Sequence, residues 1–288
     1  MARLALFHST VRAEEKLILE AARSRGVGVS LVDIRECVLE PGSFAVDFDV
    51  ALERSVSTVK GDYAVAFLES LGVPVVNPLR VARACEDKFQ TSLLLGRAGL
   101  AIPRFAMVFD AERALRVVEA FGGFPVVLKP PLGSWGRMLA KVNDSDALEA
   151  ILEHKDVLGT PPQKAFYIQE FVRKPGRDIR AFCVAGETIA AISRTSPHWI
   201  TNTARGGTAA AFSVTPELSA LCRKVSDTVG GGLLAIDLFE SERGLLVNEV
   251  NHTMEFRNSE GPTGVSISGA IIEYCVRVAK DGPMGIPS

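Results

Sequence analysis

Gly232-Leu-Leu-Ala-Ile-Asp-Leu-Phe-Glu240 is an almost wholly apolar run that carries one carboxylate, Asp237, in its middle. Such a run predicts a buried β-strand. A short connection containing Gly244 leads into a second strand-like run, Leu245-Leu-Val-Asn-Glu-Val-Asn251, so the two runs predict an antiparallel hairpin. A buried carboxylate costs free energy unless it is paired or bound to a cation, so Asp237 needs a partner.

Three oxygen-bearing side chains of this hairpin form a candidate metal site: Asp237, Glu249 and Asn251. Side chains alternate along a strand, so Glu249 and Asn251 share a face. A simple register about the turn places Val247 opposite Asp237 and makes Glu249 its diagonal neighbour, within about 7–8 Å or less. Two carboxylates and an amide oxygen are ligands of Mg²⁺ or Mn²⁺ rather than of zinc. The alternative is a buried polar network that only holds the hairpin together.

The composition agrees with an enzyme of the cytoplasm. The chain has 288 residues, 47% of them hydrophobic, and a formal net charge of −2. That near-neutral charge lacks the electrostatic footprint of a protein that binds duplex nucleic acid or an anionic membrane. No apolar run approaches the roughly 20 residues that cross a bilayer, and the start of the chain reads as a strand rather than a signal peptide. We therefore expect a cytoplasmic protein with no nucleic acid and no membrane among its partners.

Hydrophobic periodicity predicts an α/β protein with three lobes. Strands at 4–8 and 27–34 flank an amphipathic helix at 12–25, which is the βαβ start of a parallel sheet. The expected boundaries are 1–83 for the N-terminal lobe, 84–168 for the central lobe, 169–280 for the C-terminal lobe with the metal hairpin, and 281–288 for a flexible tail.

Six segments fall in the order found in one enzyme superfamily. They are Asp87-Lys88, Phe124-Pro-Val-Val-Leu-Lys129, Pro131-Leu-Gly-Ser-Trp-Gly136, Gln169-Glu-Phe-Val172, Arg177-Asp-Ile-Arg180 and Asn248-Glu-Val-Asn251. Together they resemble the ATP-grasp superfamily, whose members join carboxylates to amines with ATP. The resemblance covers most of the chain and implies an N-terminal parallel βαβ lobe followed by two α+β lobes that clasp ATP. It also implies that ATP binds with Mg²⁺, with Mn²⁺ as an alternative, and that two ions are used.

The resemblance implies a nucleotide site between the second and third lobes. Lys129 ends an apolar strand just before a Gly-bearing loop, a position from which its ammonium reaches phosphate as a point charge. The loop is expected to close over the phosphates as a flap, with an ordinary surface turn as the alternative. For Lys88 the alternative to phosphate binding is an exposed helical lysine. The expected nucleotide-binding residues are Lys88, Lys129, Gly133, Ser134, Trp135, Gly136, Gln169, Glu170, Phe171, Val172 and Asp178.

Two of these expectations are more specific. Glu170, Phe171 and Val172 resemble the superfamily's hinge, whose backbone pairs with the adenine edge while apolar side chains sandwich the ring. Asp178 is expected to accept the ribose hydroxyls, and a solvent-facing salt bridge with Arg177 or Arg180 is the alternative.

Cations are expected to carry the catalysis. In such ligases ATP first phosphorylates a carboxylate, and an amine then attacks the acyl phosphate, so the residues mainly neutralise charge. The expected catalytic residues are Arg180, Arg194 and Lys129, and His252 is expected only as a hydrogen-bonded support. The expected substrate residues are Arg194, Asn202 and Arg205 from the third lobe and Arg54 and Ser55 from the first.

The segments 248–256 and 202–207 resemble most closely the RimK-like branch of the superfamily, and within it the ligases of lysine biosynthesis. That resemblance implies a reaction between the α-amino group of 2-aminoadipate and the C-terminal glutamate side chain of the small acidic carrier protein LysW. The alternatives are a glutamate ligase, which acts on the same carrier in arginine biosynthesis or on a ribosomal protein C-terminus, and a non-enzymatic nucleotide-binding regulator. The intact metal set argues against the regulator. A homo-oligomer is also expected.

Overall fold

The computed structural model describes residues 2–133, 138–203 and 206–282. Its N-terminal elements are β1 (Arg3–His8), α1 (Ala13–Ser24), β2 (Gly28–Asp33), β3 (Val50–Glu53), α2 (Thr58–Ser70) and β4 (Val75–Val76). The strands form a parallel sheet in the order β2-β1-β3-β4, which confirms the predicted βαβ start. Strand β1 lies inside this sheet, so its near-continuous apolar run is buried.

The central part of the chain forms a second sheet, which is antiparallel, together with helices, two of which pack against each other. Its elements are α3 (Leu79–Glu86), α4 (Lys88–Arg97), β5 (Phe105–Val108), α5 (Ala111–Phe121), β6 (Val126–Lys129), β7 (Ala140–Val142), α6 (Ser145–Leu158) and β8 (Phe166–Glu170). The strand order is β5-β8-β6-β7. Asp87 caps α4 by accepting from the backbone N–H groups of Phe89 and Gln90 at 2.8 and 3.0 Å, which places Lys88 in the first turn.

The third sheet has five strands, in the order β11-β10-β9-β12-β13. Its elements are β9 (Arg177–Val184), β10 (Glu187–Thr195), β11 (Thr208–Ala211), α7 (Pro216–Val229), β12 (Leu233–Ser241), β13 (Gly244–Asn251), α8 (Glu260–Thr263) and α9 (Ile267–Asp281). The predicted hairpin is therefore confirmed as β12 and β13. Helix α9 extends to Asp281, and most of the tail expected at 281–288 lies outside the described residues.

The register of the hairpin differs from the expected one. Asp237 lies opposite Glu249 rather than Val247, and Val247 pairs with Leu238 instead. A β-bulge at Asn248 accounts for the difference, because one extra residue on β13 shifts every pair beyond it by one position. The two carboxylates are thus direct cross-strand neighbours rather than diagonal ones.

Several elements were not predicted from the sequence, among them β3, α3, β7 and α6. Strand β3 is a four-residue strand between charged or polar neighbours, so its periodicity is too short to be recognised. It is nevertheless central, because it pairs with both β1 and β4. Helix α3 ends at Glu86, next to the Asp87 cap of α4.

The first and third lobes share one hydrophobic core. Ile18 of α1 and Leu52 of β3 pack in the same cluster as Ile271 and Val278 of α9. Asn77 adds polar ties, because its side chain donates to Leu233 O at 2.8 Å and to His252 O at 2.6 Å and accepts from Leu233 N at 2.7 Å. The central sheet has its own core. Over the described ranges, the structure contains no helix that is long and apolar enough to cross a membrane.

Candidate active site

Two clefts meet between the lobes and share a wall formed by Lys88, Pro130, Gly133, Asn202 and Glu249. The first cleft lies between the central and C-terminal sheets and has a volume of about 740 Å³, part of it open to solvent. The second cleft has a volume of about 1620 Å³ and is lined by first-lobe residues as well. A group transferred from one cleft to the other must cross the shared wall.

The end of β8 forms one side of the first cleft. Gln169, Glu170, Phe171 and Val172 all line it, as the sequence predicted. The Glu170 N–H donates to Arg104 O at 2.9 Å, and the Glu170 carboxylate is paired with Arg243. The side chain of Glu170 is therefore engaged, and the backbone beyond it faces a cleft with apolar walls.

Those apolar walls were not predicted residue by residue. They consist of Val127, Leu139, Trp199, Ile200 and Phe239. The Trp199 ring lies 6.3 Å from the Phe171 ring. Val127 and Phe239 belong to apolar strands, so their pattern signals burial and does not distinguish a core side chain from one that lines a cleft.

Lys129 is the most deeply buried cation of the first cleft, with 6% of its surface exposed. Its ammonium donates to Asn248 Oδ1 at 2.8 Å. The pKa of Lys129 is lowered to about 8: burial is the main cause and nearby Lys88 contributes, whereas Glu249 and Asp237 oppose the shift. A phosphate bound here would place a negative charge beside the poorly solvated ammonium of Lys129.

Lys88 lies on the shared wall rather than on an exposed helix face. Its ammonium donates to Gly133 O at 2.5 Å and lies 3.5 Å from Glu249 Oε1. Gly133 has a φ of +117°, which only glycine adopts readily, so the backbone can turn there. The other predicted flap residues, Ser134, Trp135 and Gly136, lie outside the described residues.

Asp237 is held by two arginines. Arg180 makes a bidentate contact at 2.7 and 2.8 Å, and Arg194 Nη2 lies 3.1 Å from Oδ2. Burial alone would raise the pKa of Asp237, but Arg180 and Arg194 outweigh it and lower the pKa to about 2. In return Asp237 raises the pKa of Arg180 against the effect of burial. All three groups are charged at neutral pH.

Asp178 is buried, and its partner is neither of the two arginines named by the salt-bridge alternative. Arg177 pairs with Glu240, and Arg180 pairs with Asp237. Asp178 instead accepts from Arg194 Nε at 2.6 Å and from the Thr201 hydroxyl, with Lys174 at 3.5 Å. The alternative prediction, a solvent-facing salt bridge of Asp178 with Arg177 or Arg180, is therefore wrong.

The result is a chain of alternating charges from Lys174 through Asp178, Arg194 and Asp237 to Arg180. Lys174 and Asp178 line the first cleft, whereas Arg180 and Arg194 line the second. Contact of Asp178 with ribose stays a prediction.

The three predicted metal ligands lie together. Asp237 faces Glu249 and Ala235 faces Asn251 across the hairpin, so the three side chains share one face. A carboxylate has about four lone-pair positions, and the arginine contacts of Asp237 use three, which leaves one for a cation. Within the described ranges no group of three or more His, Cys, Asp or Glu side chains is arranged to hold a metal ion. The fit to Mg²⁺ therefore depends on the Asn251 amide and on phosphate oxygens beside the two carboxylates.

Asn248 is a site residue that sequence reasoning missed. Strict alternation would direct it away from Glu249, yet both line the first cleft. The bulge explains this, because the extra residue interrupts the alternation at that point. The two asparagines that bracket Glu249 in the sequence were the available signal.

The predicted substrate residues separate into two groups. Arg194, Asn202 and Ser55 line the second cleft. Arg54 does not: its guanidinium is buried against Glu15 at 2.9 Å and Met254 O at 2.8 Å, where it links α1 to the segment after the hairpin. Arg205 lies outside the described residues. His252 lines the second cleft, and burial with nearby Arg54 lowers its pKa to about 4, so it is neutral at physiological pH.

Comparison with known families agrees with this geometry. Residues 85–275 match the family described as the RimK-like ATP-grasp domain, and residues 4–84 match the LysX preATP-grasp domain. Alpha-aminoadipate–LysW ligase LysX of Saccharolobus solfataricus is 36% identical over 93% of this chain and 99% of that protein. Glutamate–LysW ligase ArgX of Sulfurisphaera tokodaii is 34% identical over 94% of this chain and 97% of that protein.

Solved structures show the same fold. The RimK domain ATP-grasp protein of Sphaerobacter thermophilus superposes with a TM-score of 0.81 at 30% identity, covering 96% of this chain and 100% of that chain. D-alanine–D-alanine ligase of Bacillus anthracis in complex with ATP has a TM-score of 0.71 at 17% identity, covering 97% of this chain and 98% of that chain, a likeness of fold alone. The chain therefore belongs to the RimK-like ATP-grasp family and is an ATP-dependent carboxylate–amine ligase.

Proposed function

We propose that this ligase joins the α-amino group of 2-aminoadipate to the C-terminal glutamate side chain of the small acidic carrier protein LysW. The observation that carries the proposal is the shared wall of Lys88, Gly133, Asn202 and Glu249 between two clefts. The first cleft has the apolar walls and the buried lysine suited to ATP. The second has room for a peptide end and an amino acid, with Arg180 and Arg194 in its wall.

Phosphoryl transfer is the first step of the proposed reaction. The γ-phosphoryl group of ATP moves to the carrier carboxylate at the shared wall, and negative charge accumulates on its oxygens. Lys88 is part of that wall, Lys129 lines the first cleft, and Arg180 and Arg194 line the second. Preorganised cations stabilise such charge without reorganising during the reaction, which is how these residues accelerate it.

Asp237, Glu249 and Asn251 are proposed to hold Mg²⁺, with two ions in the complete site. When bound, Mg²⁺ neutralises phosphate charge and orients the phosphate oxygens. Asp237 also fixes the two arginines, because the bidentate contact with Arg180 and the 3.1 Å contact with Arg194 leave neither guanidinium free to rotate.

Acyl transfer is the second step. The amine attacks the acyl phosphate, and the tetrahedral intermediate expels phosphate, so anionic oxygens are present until the amide forms. Arg194 is suited to this stage because it is buried, lines the second cleft and is held in place by Asp178 and Asp237. A side-chain nucleophile is not needed, because the carrier carboxylate itself carries the activated group.

The choice between 2-aminoadipate and glutamate is the finer part of the proposal. Relatives of both names are similar to this chain, at 36% identity for the LysX of Saccharolobus solfataricus and 34% for the ArgX of Sulfurisphaera tokodaii. The two amino acids differ by one methylene, which changes binding by about 1–3 kcal/mol. We therefore expect a graded preference for 2-aminoadipate, with glutamate as the competing substrate.

The test combines purified enzyme, Mg-ATP and a LysW carrier with an equimolar mixture of 2-aminoadipate and glutamate. Intact mass spectrometry of the carrier identifies which amino acid is added, and ADP release is followed in parallel. We expect the 2-aminoadipate adduct to dominate. A dominant glutamate adduct would favour arginine biosynthesis, and an unmodified carrier with ADP release only in the presence of another acceptor would overturn the choice of LysW.

A further inference from the structure

A cluster of polar side chains from the first lobe and from the end of α3 borders the second cleft. This polar cluster consists of Glu53, Ser55, Asp62 and Glu86. Ser55 and Glu86 line the second cleft, and Ser55 also lines a side pocket of about 340 Å³ with Glu53 and Asp62. The cluster therefore opens into the space where the substrates of the proposed reaction meet.

Ser55 contains an unused hydrogen-bonding group. The residue is 7% exposed, and its buried hydroxyl lies near the Glu53 carboxylate but makes no hydrogen bond of normal geometry with any described residue. Buried hydroxyl groups normally have a partner, because burying one without a hydrogen bond costs free energy. A hydroxyl that lines a cleft and makes no such hydrogen bond is suited to bind a ligand.

Burial outweighs the nearby positive charge at two carboxylates of the cluster. The pKa of Asp62 is raised to about 6, mainly by burial and also by the adjacent Glu86, to which Asp62 is hydrogen-bonded, while Arg83 opposes the rise. Burial also raises the pKa of Glu53, whose carboxylate accepts from Ser55 N at 2.5 Å. A cation that entered the cluster would offset the burial of these carboxylates.

Cations from other elements line the second cleft. Arg180 and Arg194 come from β9 and β10 of the third sheet, and Lys88 lies on the shared wall. Arg12 also lines the cleft, but it is paired with Glu15. An amino acid with two carboxylates and one ammonium would therefore place its carboxylates toward the arginines and its ammonium toward Glu86. We propose that the carboxylate of Glu86, supported by Asp62, and the hydroxyl of Ser55 bind the α-ammonium group of the incoming amino acid. The inference rests on the proposed function.

This contact would orient the amine for the reaction. The ammonium held between Glu86 and Ser55 passes one proton to the Glu86 carboxylate, and the resulting amine then approaches the acyl phosphate at the shared wall from a fixed direction. Glu86 lies two positions before Lys88, which contacts Gly133 and Glu249 in that wall. The short segment from Glu86 to Lys88 thus fixes the position of the nitrogen relative to the phosphate.

The test compares ligands with and without the amino group. Isothermal titration calorimetry measures the Kd of 2-aminoadipate, and of glutamate, against the dicarboxylates adipate and glutarate, which lack only the nitrogen. For wild-type protein we expect the amino acid that is the substrate to bind more tightly than its matched dicarboxylate. Glu86→Gln should weaken amino-acid binding roughly 10- to 100-fold, the range for a hydrogen bond to a charged group, and change dicarboxylate binding by less than about threefold.

Ser55→Ala provides a second variant with little risk to folding, because the hydroxyl that it removes makes no hydrogen bond within the described part of the chain. It should weaken amino-acid binding by roughly threefold to tenfold with the same selectivity. Glu20→Gln is the matched control, since Glu20 is exposed on α1 and pairs only locally with Arg23. Equal losses for both ligand types, or no loss in Glu86→Gln and Ser55→Ala, would overturn the ammonium site. Failure of wild-type protein to bind either amino acid would instead overturn the proposed function.

Discussion

Lys129 shows at the scale of one residue how burial prepares a group for its ligand. Among the described residues its ammonium has one hydrogen bond, to Asn248, and its pKa is lowered to about 8, chiefly by burial. The protein keeps a cation where solvation is poor, and phosphate would improve its surroundings. The free energy of ATP binding therefore includes the relief of that burial.

Proton uptake is the measurable sign of this effect. The phosphates of ATP should raise the pKa of Lys129 above about 8, so the bound state holds more protons between about pH 8 and the new pKa. ATP affinity should consequently fall as the pH rises through about 8, and uptake should grow from about pH 7 to about pH 9. Calorimetry of ATP binding in buffers with different ionisation enthalpies measures the number of protons taken up. Lys129→Met should abolish the uptake, and equal uptake in that variant would assign the proton to another group.

Asp237 and Glu249 should respond differently to neutralisation. Asp237→Asn leaves buried Arg180 without its paired carboxylate and removes one of the two carboxylates of Arg194, so we expect a stability loss on the order of 3 kcal/mol as well as lost activity. Glu249 is more exposed, and its ion pair with Lys88 is a long one at 3.5 Å. Glu249→Gln should therefore retain the unfolding midpoint and lose most ADP release. Urea denaturation and steady-state kinetics separate the two effects. Normal turnover in Glu249→Gln would exclude it from the metal site.

At the scale of an element, the bulge in β13 determines the geometry of the site. The sequence predicted the hairpin, because two apolar runs and a Gly-containing turn suffice for that. It did not predict the bulge, because the alternation of apolar and polar residues in 245–251 fits a strand equally well with and without an extra residue. Asn248 was therefore missed, and Asp237 was paired with the wrong neighbour.

Asn248 should affect ATP binding rather than folding. Asn248→Ala removes the partner of Lys129 and should raise the KM for ATP by roughly 5- to 20-fold, a loss typical of one charge-assisted contact. Asn248→Asp should instead raise the pKa of Lys129 and reduce the proton uptake on ATP binding. Both variants should keep the free energy of unfolding within about 1 kcal/mol of the wild-type value, because the bulge is formed by the backbone. Unchanged ATP kinetics in Asn248→Ala would show that the contact does not matter for binding.

The structure brings together those predicted site residues whose chemistry and position in the sequence coincide. Lys88 and Gly133, with the end of β8, line the first cleft as expected. Arg54 was assigned to the substrate although it is bound to Glu15, because the sequence does not show that α1 places a carboxylate beside it. The partners of Asp178 were also missed, since Arg194 and Thr201 come from β10 and the segment after it.

At the scale of the whole molecule, Asn77 connects lobes that are far apart in sequence. Its side chain satisfies the N–H and C=O groups of Leu233 and the carbonyl of His252. Asn77→Ala leaves these buried groups without partners, and we expect a stability loss of about 2–4 kcal/mol. Urea denaturation measures the loss, and hydrogen exchange should increase at the start of β12. Asn143→Ala, at an exposed position, is the control and should change neither quantity.

Helix α9 has a consequence for how the chain matures. It packs against α1 and β3, and Arg25 of α1 lies so close to Gly269 that a Cβ there would meet its guanidinium. During synthesis the N-terminal lobe leaves the ribosome long before residues 267–281 exist, so its apolar face stays uncovered through most of translation. At that stage the nascent protein is a natural client for chaperones. A lobe expressed alone as 1–83 should aggregate, whereas adding α9 as a separate peptide should rescue its solubility.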